Sequence, residues 1–287
     1  MNELQKYLFI TNPVAGGQNK EDIMTYVASY PNLNSPEILY TQPNTKLNWD
    51  KLDSKPTILV AVGGDGTVAE AAELARQGNV PLGIIPMGSG NGLAKDMGIS
   101  LDPYQALRHI IQGKVTAFDS FYINERLALH MADVGLNAHI IEEYAQYPFR
   151  TLGSYAVHML RCFLTHDAKP MRLFVDAALV WAGQAYMVAF CNGRSYGSNL
   201  ILNPVGNLAD GQIEAIVVPE FSKTLGPALY LELLNGELDP AYFISFAGSR
   251  FTLATEYPSQ WQADGEFLGN ESNFTIKVMP SSVLIIK

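Results

Sequence analysis

ILVAVGGDGTVAEAA, residues 58–72, decides how the first half of this chain is read. Ile58 to Val62 are apolar without alternation, the pattern of a strand buried on both faces. TVAEAAELARQ follows with helical spacing. Gly63, Gly64, Asp65 and Gly66 stand between them. Flanking glycines let a partner approach the backbone closely, so a carboxylate placed there raises the question of what approaches.

Outward from this stretch, strand and helix signals alternate. KYLFI, EILYT and LGIIP read as further strands, and KEDIMTYVASY, NGLAKDMG and DPYQALRHIIQG as helices. That alternation implies a parallel sheet with helices on both sides. Past residue 114 the pattern changes to many short strands with turn signals, interrupted by helical stretches at FRTLGSYAVHMLRCFLTH and KTLGPALYLELLNG. MRLFVDAALVWAGQAYMVAFC reads as two strands around a turn at WAGQ. The fold class expected is an α/β domain over residues 1–120, then a β-sandwich with helical insertions over 121–275. The final strands, residues 276–287, can return to the first domain, because chain termini often lie close together.

Composition bounds the function. The chain has 287 residues, 48% of them hydrophobic and 16% charged, enough to bury a large core in two medium domains. A formal net charge of -9 argues against a nucleic-acid binder and against a polybasic lipid anchor. Cys162 and Cys191 lack metal-ligand spacing and read as buried free thiols of a reducing compartment. No signal-peptide pattern or apolar run of membrane-spanning length is present, so the expected location is cytoplasmic, with any membrane contact peripheral. A homodimer is among the assembly states the sequence allows.

Three glycine-rich loops leave the carboxyl ends of predicted parallel strands, where open α/β sheets bind ligands. They are Asn12-Pro13-Val14-Ala15-Gly16-Gly17, Gly63-Gly64-Asp65-Gly66-Thr67 and Pro86-Met87-Gly88-Ser89-Gly90-Asn91-Gly92. Exposed backbone N–H groups of such loops form concavities for anions, and the second loop also feeds a helix N-terminus. No GxxxxGK[ST] occurs. Gly64 to Ala69 fits GxGxxA, but no acidic residue stands near positions 84 to 90, which argues against dinucleotide hydride transfer. Thr67 and Glu70 also read as a capping box at the start of the helix. An aspartate among phosphate-binding amides repels phosphate unless a divalent cation lies between, so Asp65 points to Mg²⁺-nucleotide, serving the metal or a proton. The chemistry implied is phosphoryl transfer without a Walker loop.

NPVAGG, GGDGTVAE and PMGSGNGLAKDMG resemble the three nucleotide-loop motifs of the diacylglycerol kinase catalytic-domain family, which includes bacterial lipid kinases and the sphingosine and ceramide kinases. NPVGNLADGQIEAI and QADGE are similar to two later motifs of that family, in the same order. GGDGT by itself is shared with NAD kinases. The resemblance implies a first domain like that of NAD kinases and phosphofructokinases and a second that is a β-sandwich. It implies ATP touching Asn12 to Gly16, Thr41, Gly64 to Glu70 and Ser89, in loops that also contain Gly63 and Asn91. It further implies Asp264 or Glu266 as proton acceptor for a lipid hydroxyl. A second, structural Mg²⁺ or Ca²⁺ would sit at Asp210 with the backbone carbonyls of Asn207 and Gln212.

Asp264 and Glu266, two apart on a segment read as extended, are expected to point the same way, with Glu266 favoured as base. Asn91-Gly92 stands where bacterial members usually have Asn-Asp, which leaves the lipid open between diacylglycerol and a sphingoid base. Asp133, in an apolar strand, resembles the aspartate that contacts the amine in sphingosine kinases. Its structural reading is a strand-end carboxylate paired with a neighbour such as Arg150. Tyr155, Met159 and Phe163 share a helical face that reads either as an acyl trough or as core. A kinase of NAD or a sugar phosphate, and a nucleotide-binding regulator, are the competing readings.

Overall fold

The computed structural model describes residues 5–12, 20–31, 33, 36–42, 47–88, 90–145, 152–196 and 200–287. The chain forms two compact units, residues 1–119 with 280–287, and residues 120–279.

The first unit carries β1 (Tyr7–Thr11), α1 (Lys20–Ser29), β2 (Glu37–Tyr40), β3 (Ile58–Gly63), α2 (Asp65–Gly78), β4 (Leu82–Pro86), α3 (Gly92–Asp96), α4 (Pro103–Gln112) and the start of β5 (Val115–Ile123). β1 pairs in parallel with β2 and β3, and β3 with β4, giving the order β2-β1-β3-β4. Ile285 near the chain end pairs in parallel with Leu82 of β4. Every residue of β1, β3 and β4 is buried, as unbroken apolar runs covered by helices require. The register aligns the strands' carboxyl ends: Thr11 faces Tyr40 and Val62, and Gly63 faces Pro86. From β1 the chain proceeds to one side through β2, then returns to the other through β3 and β4. The strand order therefore reverses between β1 and β3, which is where such sheets open a ligand crevice.

The second unit carries β6 (Arg126–Ala128), β7 (Met131–Gly135), α5 (Leu136–Ala145), α6 (Leu152–Thr165), β8 (Lys169–Val175), β9 (Ala178–Cys191), β10 (Ser195–Tyr196), β11 (Leu200–Ile201), β12 (Ile213–Pro219), α7 (Gly226–Asn235), β13 (Ile244–Gly248), β14 (Arg250–Ala263) and β15 (Glu266–Ile286). Its strands run antiparallel in the order β13-β12-β9-β7-β14-β15, with β8 bridging β9 and β14. Phe121, Phe190, Phe251, Leu253, Trp261 and Phe274 fill its core.

Two local readings need correction. The hairpin turn between β8 and β9 lies at Asp176-Ala177, both at positive φ, and β9 runs on through Trp181 to Gln184. Residues 250–263 form one long strand, where SRFTLAT and SQWQAD read from the sequence as two short ones. Among the described residues no helix is long and apolar enough to cross a membrane. Cys162 and Cys191 are buried and are not joined in a disulfide.

Candidate active site

Helix α2 begins at Asp65, with only Gly64 between it and the end of β3. Its N-cap is Gly64, which has no side chain to serve as a cap. The N-cap residue therefore offers the first-turn amides no side-chain acceptor, and a helix N-terminus of that kind favours an anion. The expected capping box is not formed. Thr67 lies inside the first turn rather than at its start, and a Cβ built on Gly63 would come 2.5 Å from its Oγ1. Thr67 is buried, and Glu70, one turn further along α2, is half-buried.

The second and third loops touch through their backbones. The Met87 N–H donates to the Gly63 carbonyl at 2.8 Å. A Cβ on Gly88 would lie 2.5 Å from the Gly64 Cα, so any side chain at Gly88 pushes the loops apart. Gly66, by contrast, has open space where its Cβ would be. Asn91 shapes the third loop: its side chain accepts from the Gly88 N–H at 2.9 Å and donates to the Gly88 carbonyl at 2.8 Å. That amide group is committed to the loop, a role the sequence reading did not assign.

Asp65 is half-buried. Its two carboxylate oxygens each accept one long hydrogen bond of 3.4 Å, from the N–H groups of Gly92 and Leu93 at the start of α3. Among the described residues such bonds leave most of the acceptor capacity unused, so the residue fits a Mg²⁺ ligand. Thr41 is buried just past β2, its N–H donating to the Thr11 carbonyl at 2.9 Å. The Asn12 carbonyl accepts from Lys20 Nζ. Lys20 is a residue the sequence reading missed. It brings a cation to the end of the first loop, and burial pulls its ammonium below the usual lysine range. Pro13, Val14, Ala15, Gly16 and Ser89 lie outside the described residues.

In the second unit, β14 and β15 join through the two-residue turn Asp264-Gly265, both at positive φ (47° and 87°), with Ala263 paired to Glu266. Asp-Gly suits the tight hairpin turn that needs this geometry. The segment is therefore not extended, and the two carboxylates separate. Asp264 turns onto the N–H groups of Leu129, His130 and Met131, at 2.8, 3.0 and 3.0 Å. Burial pushes its carboxyl above the usual range, and those amides oppose the shift. Glu266 is exposed and pairs with Arg126.

Asp133, on β7, is fully buried. It accepts from Asn137 Nδ2 at 2.7 Å, the Ala138 N–H at 3.0 Å, the Tyr196 hydroxyl at 2.8 Å and Gln262 Nε2. Burial pushes its carboxyl up to about 6, against the effect of those four donors. Asn137, Tyr196 and Gln262 carry no motif of their own, and only the folded chain brings them to Asp133. Arg150, the neighbour expected from sequence, lies outside the described residues.

Asp210 is exposed, and its Oδ1 accepts from the Gln212 N–H at 3.0 Å. Asn207 closes a similar turn onto the Ala209 N–H at 3.2 Å. Buried Glu214 accepts from Asn203 Nδ2; burial raises its carboxyl and the Asp210 charge adds to the shift. Among the described residues no group of three or more His, Cys, Asp or Glu side chains is arranged to hold a metal.

On the face read as an acyl trough or as core, Phe163 is packed. Phe163 lies 5.9 Å, ring to ring, from both Tyr186 and Phe221, and its ring fills the space over Gly226. Met159 is half-buried, and the Tyr155 side chain lies outside the described residues. The outward face of α6 instead exposes Val157, Leu160 and Leu164.

A profile described as the diacylglycerol kinase catalytic domain matches residues 6–123, and one described as the YegS C-terminal NAD kinase beta sandwich-like domain matches residues 131–287. A protein of Citrobacter koseri named "Probable lipid kinase YegS-like" is 28% identical over 258 residues, 84% of each chain. Its namesake in Klebsiella pneumoniae is 28% identical over 256 residues, again 84% of each. A solved diacylglycerol kinase from Bacillus anthracis str. Sterne matches with a TM-score of 0.74 at 19% identity, over 100% of this chain and 98% of that one. An NAD kinase from Archaeoglobus fulgidus in complex with ATP matches with a TM-score of 0.54 at 12% identity, over 98% and 93%. The two structural matches are likenesses of fold. An α/β domain with NAD kinase-like neighbours followed by a β-sandwich is the architecture expected from the sequence.

Proposed function

This chain belongs to the diacylglycerol kinase catalytic-domain family, with the YegS-type C-terminal domain, and on that premise we propose that it is a lipid kinase. It transfers the γ-phosphoryl group of ATP to the hydroxyl of diacylglycerol or a related glycerolipid. The observation that carries this reading is the Gly64-capped start of α2 beside the Gly64–Gly88 contact, with a half-open carboxylate at Asp65. Phosphate oxygens accept from the loop amides, which are fixed before substrate arrives and need no reorganisation. Asp65 is the residue that would hold Mg²⁺, which would supply neutralisation of the phosphate charge. Glu266 takes the proton of the acceptor hydroxyl, whose own pKa is far too high for attack unaided. Asp264 anchors the turn on which Glu266 stands.

A glycerolipid is favoured over a sphingoid base because Asp133 is enclosed and already accepts from four neutral donors. A carboxylate so satisfied gains little from an amine. The exposed Val157, Leu160 and Leu164 on α6 support peripheral contact with a bilayer. The test is an acceptor panel with labelled ATP: diacylglycerol in mixed micelles, sphingosine, and NAD. Labelled phosphatidic acid is expected. Label on sphingosine alone makes Asp133 a headgroup contact, and label on NAD alone overturns the lipid reading.

A divalent cation at Asp210, with the backbone carbonyls of Asn207 and Gln212, is a second part of this proposal, supported by the tight turns that Asn207 and Asp210 close onto the Ala209 and Gln212 N–H groups. Added Mg²⁺ should raise the melting temperature of the wild type, and Asp210→Ala should abolish that rise. Equal melting curves with Mg²⁺ and with a chelator would remove the site.

A further inference from the structure

We infer that Gln262 is a positioning residue for the phosphoryl-transfer reaction, holding the Asp264-Gly265 turn in place through a buried link to Asp133. This rests on the reading above that the turn presents the proton acceptor.

Gln262 is fully buried on β14, opposite Asp133 in the β7–β14 register. Its two polar atoms have different partners. Nε2 donates to Asp133 Oδ2, and Oε1 accepts from the Gly265 N–H at 2.8 Å. The amide can sit only this way round. An ionised carboxylate only accepts, and a backbone N–H only donates, so Asp133 sets the orientation in which the Gln262 carbonyl faces the turn. The Asp133 partners are neutral donors, and Tyr196 is the titratable one among them.

The turn is therefore clamped from two sides. The Asp264 carboxylate is seated on three amides, and the Gly265 N–H is seated on Gln262. Glu266 is the next residue and the first of β15. Both turn residues hold left-handed backbone conformations, at φ 47° and 87°. For Asp264 that conformation is uncommon and persists where its surroundings hold it. Removing the carbonyl of Gln262 frees the Gly265 N–H and lets the aim of Glu266 drift. An error of about 1 Å at a reacting group can cost on the order of 10²-fold in rate.

Two variants and one measurement on the wild type test this. Gln262→Met keeps length and apolar volume but loses both hydrogen bonds. Its kcat should fall by about tenfold or more while its KM for ATP stays within about twofold. Gln262→Glu sets a second carboxyl against Asp133, and the pair shares one proton. In its protonated form the introduced carboxyl can still donate to Asp133 and accept from Gly265. The kcat of Gln262→Glu should therefore fall as pH rises from about 5.5 to about 8, beyond any change in the wild type, with the folded fraction followed by circular dichroism. In the wild type, the Gly265 amide should show slowed hydrogen exchange although the residue is exposed.

Wild-type kcat in both variants, or an unprotected Gly265 amide, overturns the inference. Failure of the underlying reading looks different: Glu266→Gln and Asp264→Asn would then turn over at the wild-type rate whatever Gln262 does.

Discussion

Asp65→Asn is expected to remain folded and to lose about 10²- to 10³-fold in kcat, the range seen when one preorganised electrostatic group is removed from a transition state. The fold should survive because, among the described residues, the Asp65 carboxylate accepts hydrogen bonds from Gly92 and Leu93 alone, both 3.4 Å long. Bonds that long contribute little. The α2 N-terminus needs no side-chain cap from it, since Gly64 occupies that position. What the substitution removes is negative charge beside the loop amides. Phosphoryl transfer depends on positioning and charge neutralisation, so loss of the cation's ligand should appear mainly in kcat and in the Mg²⁺ dependence. Steady-state kinetics against Mg²⁺ concentration, with a thermal melt as control, make the measurement. Near-normal turnover in a well-folded Asp65→Asn protein would sink the assignment.

Glu266→Gln should bind ATP as the wild type does and lose about 10²- to 10⁴-fold in lipid phosphorylation, the usual contribution of a general base. Glu266 is exposed, and its ion pair with Arg126 is a surface pair. Pairs of that kind contribute little to stability, so the variant should fold. Asp264 is the less suitable base, since three backbone amides already fill its carboxylate. ATP affinity measured by calorimetry separates the roles. Parallel loss of ATP binding and turnover would make Glu266 a nucleotide or metal ligand and return the base to Asp264.

The amino-acid sequence alone was sufficient for the frame of this protein. Unbroken apolar runs such as Ile58 to Val62 can be satisfied only by burial on both faces, which requires parallel strands with helices between them. The glycine-containing loops that follow Thr11, Val62 and Pro86 then had to leave one end of the sheet, and the register places those strand ends side by side. These signals are local: each is complete within about ten residues. Where local signals conflicted, sequence reading failed. Thr67 and Glu70 have the spacing of a capping box, but Gly64 starts the helix earlier, because the chain leaves β3 directly into α2.

The chemistry of the second unit was decided by tertiary structure. QADGE reads as a motif, yet its hairpin turn sends Asp264 inward to residues 129–131 and Glu266 outward to Arg126. The four donors to Asp133 include Tyr196, 63 residues away, and Gln262, 129 residues away. Nothing in their immediate sequence marks them, because a hydrogen-bond partner is selected by strand register and by the cost of leaving a buried carboxylate unmet. Local sequence carries propensity and periodicity over one element. The pairing of β7 with β14, which brings Gln262 opposite Asp133, exists only once the whole sheet has formed.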